Sequence, residues 1–245
     1  MSNPMYRSTA PVFTHQLKNL SNLLKVAAGD AKARGIAPEV ILNARLAPDM
    51  LPLVRQVQIA TDHAKGCCAR LAGLESPVFA DSEASFAELQ ARIKKTLAFI
   101  RGIKPALYDG SDSRDITLKL PFGELRFSGE DYLNGWVLPN FYFHYTTAYA
   151  ILRHNGAGVG KREFLGSVPG MGVNAAAARA LGLKAPANKV ATKKATAKKP
   201  AAKKATAKKS SAKNATAKQA AAKKATPKKT VAAKKPAAKK PAKAA

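Results

Sequence analysis

Cysteine is almost absent from this sequence: there are two in 245 residues, adjacent at Cys67 and Cys68. Neighbours in a helix point in different directions, and no CxxC or Cys/His spacing occurs, which excludes a disulfide framework and a zinc knuckle. A reducing cytoplasm is the expected setting. Long apolar runs are missing too. The N-terminus, MSNPMYRSTAPVF, has no signal-peptide core, and no stretch has the length to span a bilayer, so neither export nor membrane insertion is expected. The third shortage, of negative charge, is local. From Lys184 to Ala245, 62 residues hold 21 lysines and no acid, arginine or aromatic residue. The remaining 21 basic residues face all 15 acids, so residues 1–183 carry only +6 of the formal +27. The first three-quarters is an ordinary globular chain with the length for a core. The basicity belongs to the tail.

Apolar periodicity in residues 1–170 predicts helices. A first helix is expected from about Ala10 to Arg34, with Phe13, Leu17, Leu20 and Leu24 on one face and Gly35 as its stop. A short turn follows Pro38, with Val40 and Ile41 inward. A second helix begins near Pro48-Asp49 and carries Met50, Leu53, Val54, Val57, Ala60, Ala64, Cys67 and Leu71 as far as Gly73. A third opens on Ser85-Phe86-Ala87-Glu88, a capping box, and shows Phe86, Leu89, Ile93, Leu97 and Ile100 on one side. The period then changes to two. Ile116–Leu120 and Glu124–Ser128 flank a turn and read as a β-hairpin. A fourth helix, Pro139 to His154, ends at Asn155-Gly156 and is apolar on nearly every side, which predicts the most buried position. Four helices with short connections make the fold class all-α, an antiparallel four-helix bundle with a small β-hairpin insertion. The expected domains are the bundle at 1–170, a linker at 171–184, partly helical from Ala175 to Leu183, and the tail at 185–245.

The tail repeats every five residues in the form Ala-Thr/Ala-x-Lys-Lys. A five-residue step turns about 140° around a helix, so the charges leave no apolar stripe, and the free tail is expected to be disordered. Its lysines suit a duplex backbone. Duplex DNA offers a charge about every 1.7 Å of axis, against a lysine about every 4.5 Å along a helical tail, so every lysine finds a phosphate. Without arginine there is no bidentate reading of guanine, and without aromatics no stacking platform for single strands. Sequence-independent binding of double-stranded DNA is therefore expected. It would run through Lys193, Lys194, Lys198, Lys199, Lys203, Lys204, Lys208, Lys209, Lys223, Lys224, Lys228, Lys229, Lys234, Lys235, Lys239 and Lys240.

These Ala/Lys/Pro/Thr repeats resemble the C-terminal tails of linker histones. Similar tails occur on bacterial nucleoid-binding proteins such as the alginate regulatory protein and certain granule phasins. Two stretches of the bundle, Ala37–Gly73 and Pro139–Gly166, resemble a family of uncharacterised bacterial proteins placed beside the DinB-like four-helix bundles. That resemblance implies a helical bundle, a homodimer like many relatives, and no established activity. DinB-like relatives often hold a divalent metal through one histidine on the second helix and a His-x-x-x-His pair on the fourth. By that pattern His63 and His144 are the metal candidates, but Ala148 stands four residues after His144 and breaks the pair. His154 is nearly three turns on and cannot share an ion with His144 on a straight helix.

The expectation is therefore no bound metal and no cofactor, with His144 a core histidine satisfied by tyrosine or backbone groups. Gly156–Lys161 looks like a phosphate loop, but it follows a helix and has Arg162 where Ser or Thr should stand. Asp109, Asp112 and Asp115 lack the glycine and glutamate of a calcium loop. Cys67 and Cys68 read as small core residues, and Tyr142, Tyr145 and Tyr149 fit either the lining of a small apolar pocket or buried packing. The sequence alone thus points away from an enzyme. It points to a cytoplasmic, nucleoid-associated architectural protein whose bundle has an unknown ligand. The alternatives are a DinB-like metal-dependent thiol transferase localised by its tail, or a granule-surface tether.

Overall fold

The structure is a computed structural model that describes residues 3–180 apart from Phe122. The sixteen candidate lysines of the tail lie outside the described residues. The first helix, α1 (Pro4–Ala33), starts six residues earlier than its apolar pattern suggests. Asn3 explains the extension: its Oδ1 accepts from the backbone N–H of Met5 at 2.9 Å and Tyr6 at 3.3 Å, and Pro4 occupies a position where no N–H is needed. Helix α2 (Pro38–Leu42) turns Ile41 and Leu42 inward and leaves Val40 59% exposed, which reverses the expectation for Val40. Five residues make little more than one turn, so only one side of it reaches the core.

Helix α3 spans Leu53–Leu71 and begins later than Pro48. Pro52 sets this boundary, because a residue before proline avoids the helical region. Helix α4 (Phe86–Gly102) has the capping interaction read from the sequence, shifted by one residue. Ser85 Oγ accepts from the Glu88 N–H, while the Glu88 carboxylate takes the N–H of Ala84, not that of Ser85.

Strands β1 (Ile116–Leu120) and β2 (Gly123–Phe127) pair antiparallel with Ile116 opposite Phe127 and Leu118 opposite Leu125. Ile116 and Leu118 are buried, and Leu125 and Phe127 pack against the core, so the hairpin covers the bundle with one face. The last long helix enters through α5 (Gly129–Asp131) and a π-helical turn, Tyr132–Val137, before α6 (Leu138–His154). Pro139 has no N–H for the carbonyl four residues back, and the wider turn absorbs that gap.

Helix α3 packs against α6, α4 against both α1 and α3, and α6 against α1, which closes a four-helix bundle. Its core includes Phe13, Leu17 and Leu20 from α1, Val57 and Ala64 from α3, Leu89 and Ile93 from α4, and Phe141, Tyr145 and Leu152 from α6. The most enclosed helix is α3, which buries 13 of its 19 residues, whereas Phe143 of α6 is 55% exposed. The aromatic run of α6 serves two surfaces: a core side, and a rim beside α3.

After Gly156 the chain turns back over α1. Asp30 accepts the N–H of Gly158, Glu163 that of Gly160, and Asn19 donates to the carbonyls of Phe164 and Leu165. The backbone donors of the glycine-rich turn are thus used internally before α7 (Lys161–Leu165). Helix α8 (Ala175–Ala180) follows. No helix of the described residues is long and apolar enough to cross a membrane.

Candidate functional site

The structure brings His63 of α3 and His144 of α6 together, with ring centroids 6.1 Å apart and ring planes 17° from parallel. Helix α3 presents His63 at the edge of its apolar face, and α6 presents His144 where these two helices make their main contact. The partner of His144 is neither tyrosine nor backbone. Its Nδ1 lies 2.7 Å from Gln56 Oε1. Gln56 is buried, and its amide nitrogen donates to the Leu51 carbonyl at 2.9 Å, so its oxygen must face the ring. His144 therefore donates from Nδ1 and keeps its lone pair on Nε2.

Both rings are held neutral. Burial, then the His144 ring, then the Arg70 guanidinium bring His63 down to about 4, and burial also lowers His144. A base this weak is poorly matched to taking protons at neutral pH, but its nitrogen stays available to an electrophile or a metal ion.

His63 opens onto a cleft of about 280 Å³ between α3, the hairpin and the π-helical turn. Its walls include Ile59, Asp62, Arg70, Leu118, Lys119, Leu120, Tyr132 and Trp136. Arg70 Nη1 donates to Tyr132 Oη at 2.9 Å, and burial raises that phenol to about 12, so it stays protonated.

On the far side of Asp62 lies an ionic cluster. Arg92, its side chain 1% exposed, reaches Asp62 at 2.6 Å, Asp81 at 2.8 Å and Glu83 at 3.1 Å, and Lys65 joins Asp62 at 2.9 Å. Asp62 thus sits with one side on the cleft and the other on two cations. Lys65 Nζ and the Arg92 guanidinium both lie over the Phe79 ring, 4.9 and 5.2 Å from its centre. This cluster clasps the segment between α3 and α4.

Cys67 and Cys68 are fully buried as small core residues, and burial raises both thiols, Cys68 to about 12. They are not nucleophiles at neutral pH. Tyr145 packs between Phe141 and Phe164 and donates to the Phe164 carbonyl at 2.7 Å. Among the described residues no three His, Cys, Asp or Glu side chains converge on one point, Asp109, Asp112 and Asp115 included. A divalent ion therefore finds two imidazoles, one short of the usual three protein ligands of a catalytic zinc site. Ala148, buried on α6, leaves that third position without a donor. The donor set fits an open, weak site whose other positions fall to water or substrate. Gln56, Arg70, Lys119, Tyr132 and Trp136 were not singled out by the sequence. The one available signal for Arg70 was Gly66, a glycine inside a helix one turn before it.

A family model described as Domain of unknown function (DUF1993) matches residues 5–165. A crystal structure of a DinB family member protein from Shewanella denitrificans superimposes with a TM-score of 0.64 at 38% identity, covering 69% of this chain and 95% of that one. No curated protein matches the chain. The expectation that the chain is not an enzyme is thereby overturned. It rested on the broken histidine pair, yet this bundle is closely similar to a DinB family protein, and the DinB superfamily includes metal-dependent enzymes. Family match, superposition and matched length agree: the chain belongs to the DUF1993 family of DinB-like four-helix-bundle proteins.

Proposed function

We propose that the bundle is a metal-dependent transferase domain of the DinB type, acting on a small nucleophile such as a thiol at the His63–His144 pair. The observation that carries this reading is the pair itself: two neutral imidazoles side by side, His144 with its tautomer set by a buried amide and His63 at the mouth of a cleft. His63 and His144 would hold the ion, and Gln56 orients the second ligand from behind. When bound, a divalent ion supplies Lewis-acid activation of a nucleophile at neutral pH. Arg70, Tyr132 and Trp136 shape the adjoining space. With two protein ligands the affinity should be modest.

Titrating the full chain with Co²⁺ and following its visible absorption tests this. One equivalent should bind, with the spectrum lost in His63→Ala and in His144→Ala. Identical uptake in both variants, or none at millimolar ion, would end the proposal.

The second part of the reading rests on composition: 21 lysines and no acid from Lys184 to the C-terminus. The tail would hold the bundle on duplex DNA through phosphates, without reading sequence, and place it on the nucleoid. Gel shifts with the full chain and with a chain ending at Gly170 separate the two parts. The shorter chain should lose most duplex affinity.

A further inference from the structure

We infer that the cleft beside His63 binds a small organic carboxylate with a flat apolar body, and that Arg70 is the residue that recognises its charge. The inference begins at Gly66, a buried glycine in the interior of α3, where glycine costs roughly 1 kcal/mol relative to alanine. The reason for it is spatial. A Cβ built on Gly66 would stand 2.5 Å from Arg70 Nη1, so the guanidinium lies folded back along its own helix over the glycine. The missing side chain is what lets Arg70 turn towards His63 and the cleft.

Once there, the guanidinium has little to hold. Among the described residues its hydrogen-bond acceptor is the Tyr132 phenol, which is neutral, and no carboxylate pairs with it. The nearby carboxylate, Asp62, is taken by Arg92 and Lys65. A half-buried guanidinium has five N–H donors, and a charge drawn partly out of water favours a matching anion. Lys119, exposed on β1, adds a second positive charge to the same cleft. Both charges favour an anion, and a guanidinium fork matches a carboxylate in two parallel hydrogen bonds.

The rest of the lining describes the ligand's body. Leu118, Ile59 and the Trp136 ring are apolar, and a volume of about 280 Å³ suits a single ring with its substituent. Metal-ion chemistry is not needed for this binding, so it stands or falls separately from the histidine proposal with which it shares the cleft.

Trp136 is the chain's single tryptophan and lines the cleft, so its fluorescence reports on this site and not on the tail. The full-length protein, at constant ionic strength and without added metal, is titrated with benzoate, benzamide and inorganic phosphate. Benzoate should give a saturable change, with benzamide and phosphate at least tenfold weaker. Gly66→Ala should fold at least as stably as the parent, judged by its unfolding midpoint, because only the flexible end of Arg70 has to move. It should nonetheless bind benzoate at least tenfold more weakly, as should Arg70→Gln. Lys119→Gln, an exposed change that keeps the fold, should weaken binding about threefold. Absence of a saturable response to benzoate, equal response to benzamide or to phosphate, or unaltered affinity in folded Gly66→Ala would overturn the inference.

Discussion

At neutral pH the imidazole of His63 carries no proton, because burial, His144 and Arg70 hold it near 4 against an ordinary value of 6.5. The unfolded chain takes up that proton below pH 6.5 while the folded one does not, so the unfolded state binds more protons in this window. Stability should therefore fall as pH drops from 6.5 towards 4, by an amount of roughly 3 kcal/mol. Urea midpoints measured at intervals across that range should flatten in His63→Gln. A variant as sensitive as the parent would mean that His63 is solvated and ordinary. The neighbouring ring makes a different expectation. His144→Ala leaves the buried Gln56 Oε1 without its donor, which should cost about 1–3 kcal/mol at any pH above 6.5.

Between α3 and α4, one arginine fixes a whole segment. Asp81 adopts a left-handed backbone (φ 51°), and its carboxylate reaches both Arg55, at 2.9 Å, and Arg92. Burial alone would raise Asp81 and Glu83. Hydrogen bonds from Arg55 and Arg92 to the first, and from Gln58 and Arg92 to the second, outweigh it and hold both below the ordinary carboxylate range. Their contribution is therefore present above the ordinary carboxylate pKa and lost as pH falls through the lowered folded values.

Arg92→Met removes the shared cation and should destabilise by about 3 kcal/mol, the low end for a broken buried pair because Asp62 and Asp81 are partly solvated. The segment should loosen with it. Phe79, without the Arg92 guanidinium over its ring, should become a faster chymotryptic site in the variant than in the parent. Unchanged cleavage would show that Lys65 and the remaining contacts suffice.

For the molecule as a whole, the expected behaviour is that of two parts with separate tasks. If roughly ten tail lysines contact a duplex together, log K should fall against log salt with a slope near −9. AT-rich and GC-rich duplexes of equal length should bind alike, and single strands more weakly. A slope near zero, or a strong preference among duplexes, would refute counterion release as the driving force. Ending the chain at Gly170 should abolish that salt dependence and leave the Co²⁺ response of the bundle as it was.

The sequence by itself determined the class of fold and the placement of charge. Apolar residues at three- and four-residue steps mark α1, α3 and α4 wherever a helix buries one face, and the switch to alternation at Ile116 marks the hairpin. These are local signals, so they can be read from the chain alone. Helix ends were less legible where a side chain or a proline decided them: Asn3 starts α1 early, and Pro52 delays α3. The tail's lysine excess is a property of composition and needs no structure to be seen.

The site was different. His63 and His144 are 81 positions apart, and only the packing of α3 on α6 makes them neighbours. The family resemblance named the two together, but the motif broken at Ala148 turned the reading away from a metal, and the stacking of the two rings across helices is visible only in the fold. Gln56 behind His144, Arg70 folded over Gly66, and Trp136 carried in on a π-helical turn all depend on three-dimensional proximity. Tertiary structure decided the site because its parts come from separate elements, and a side chain's hydration and charge partners are set by what packs against it.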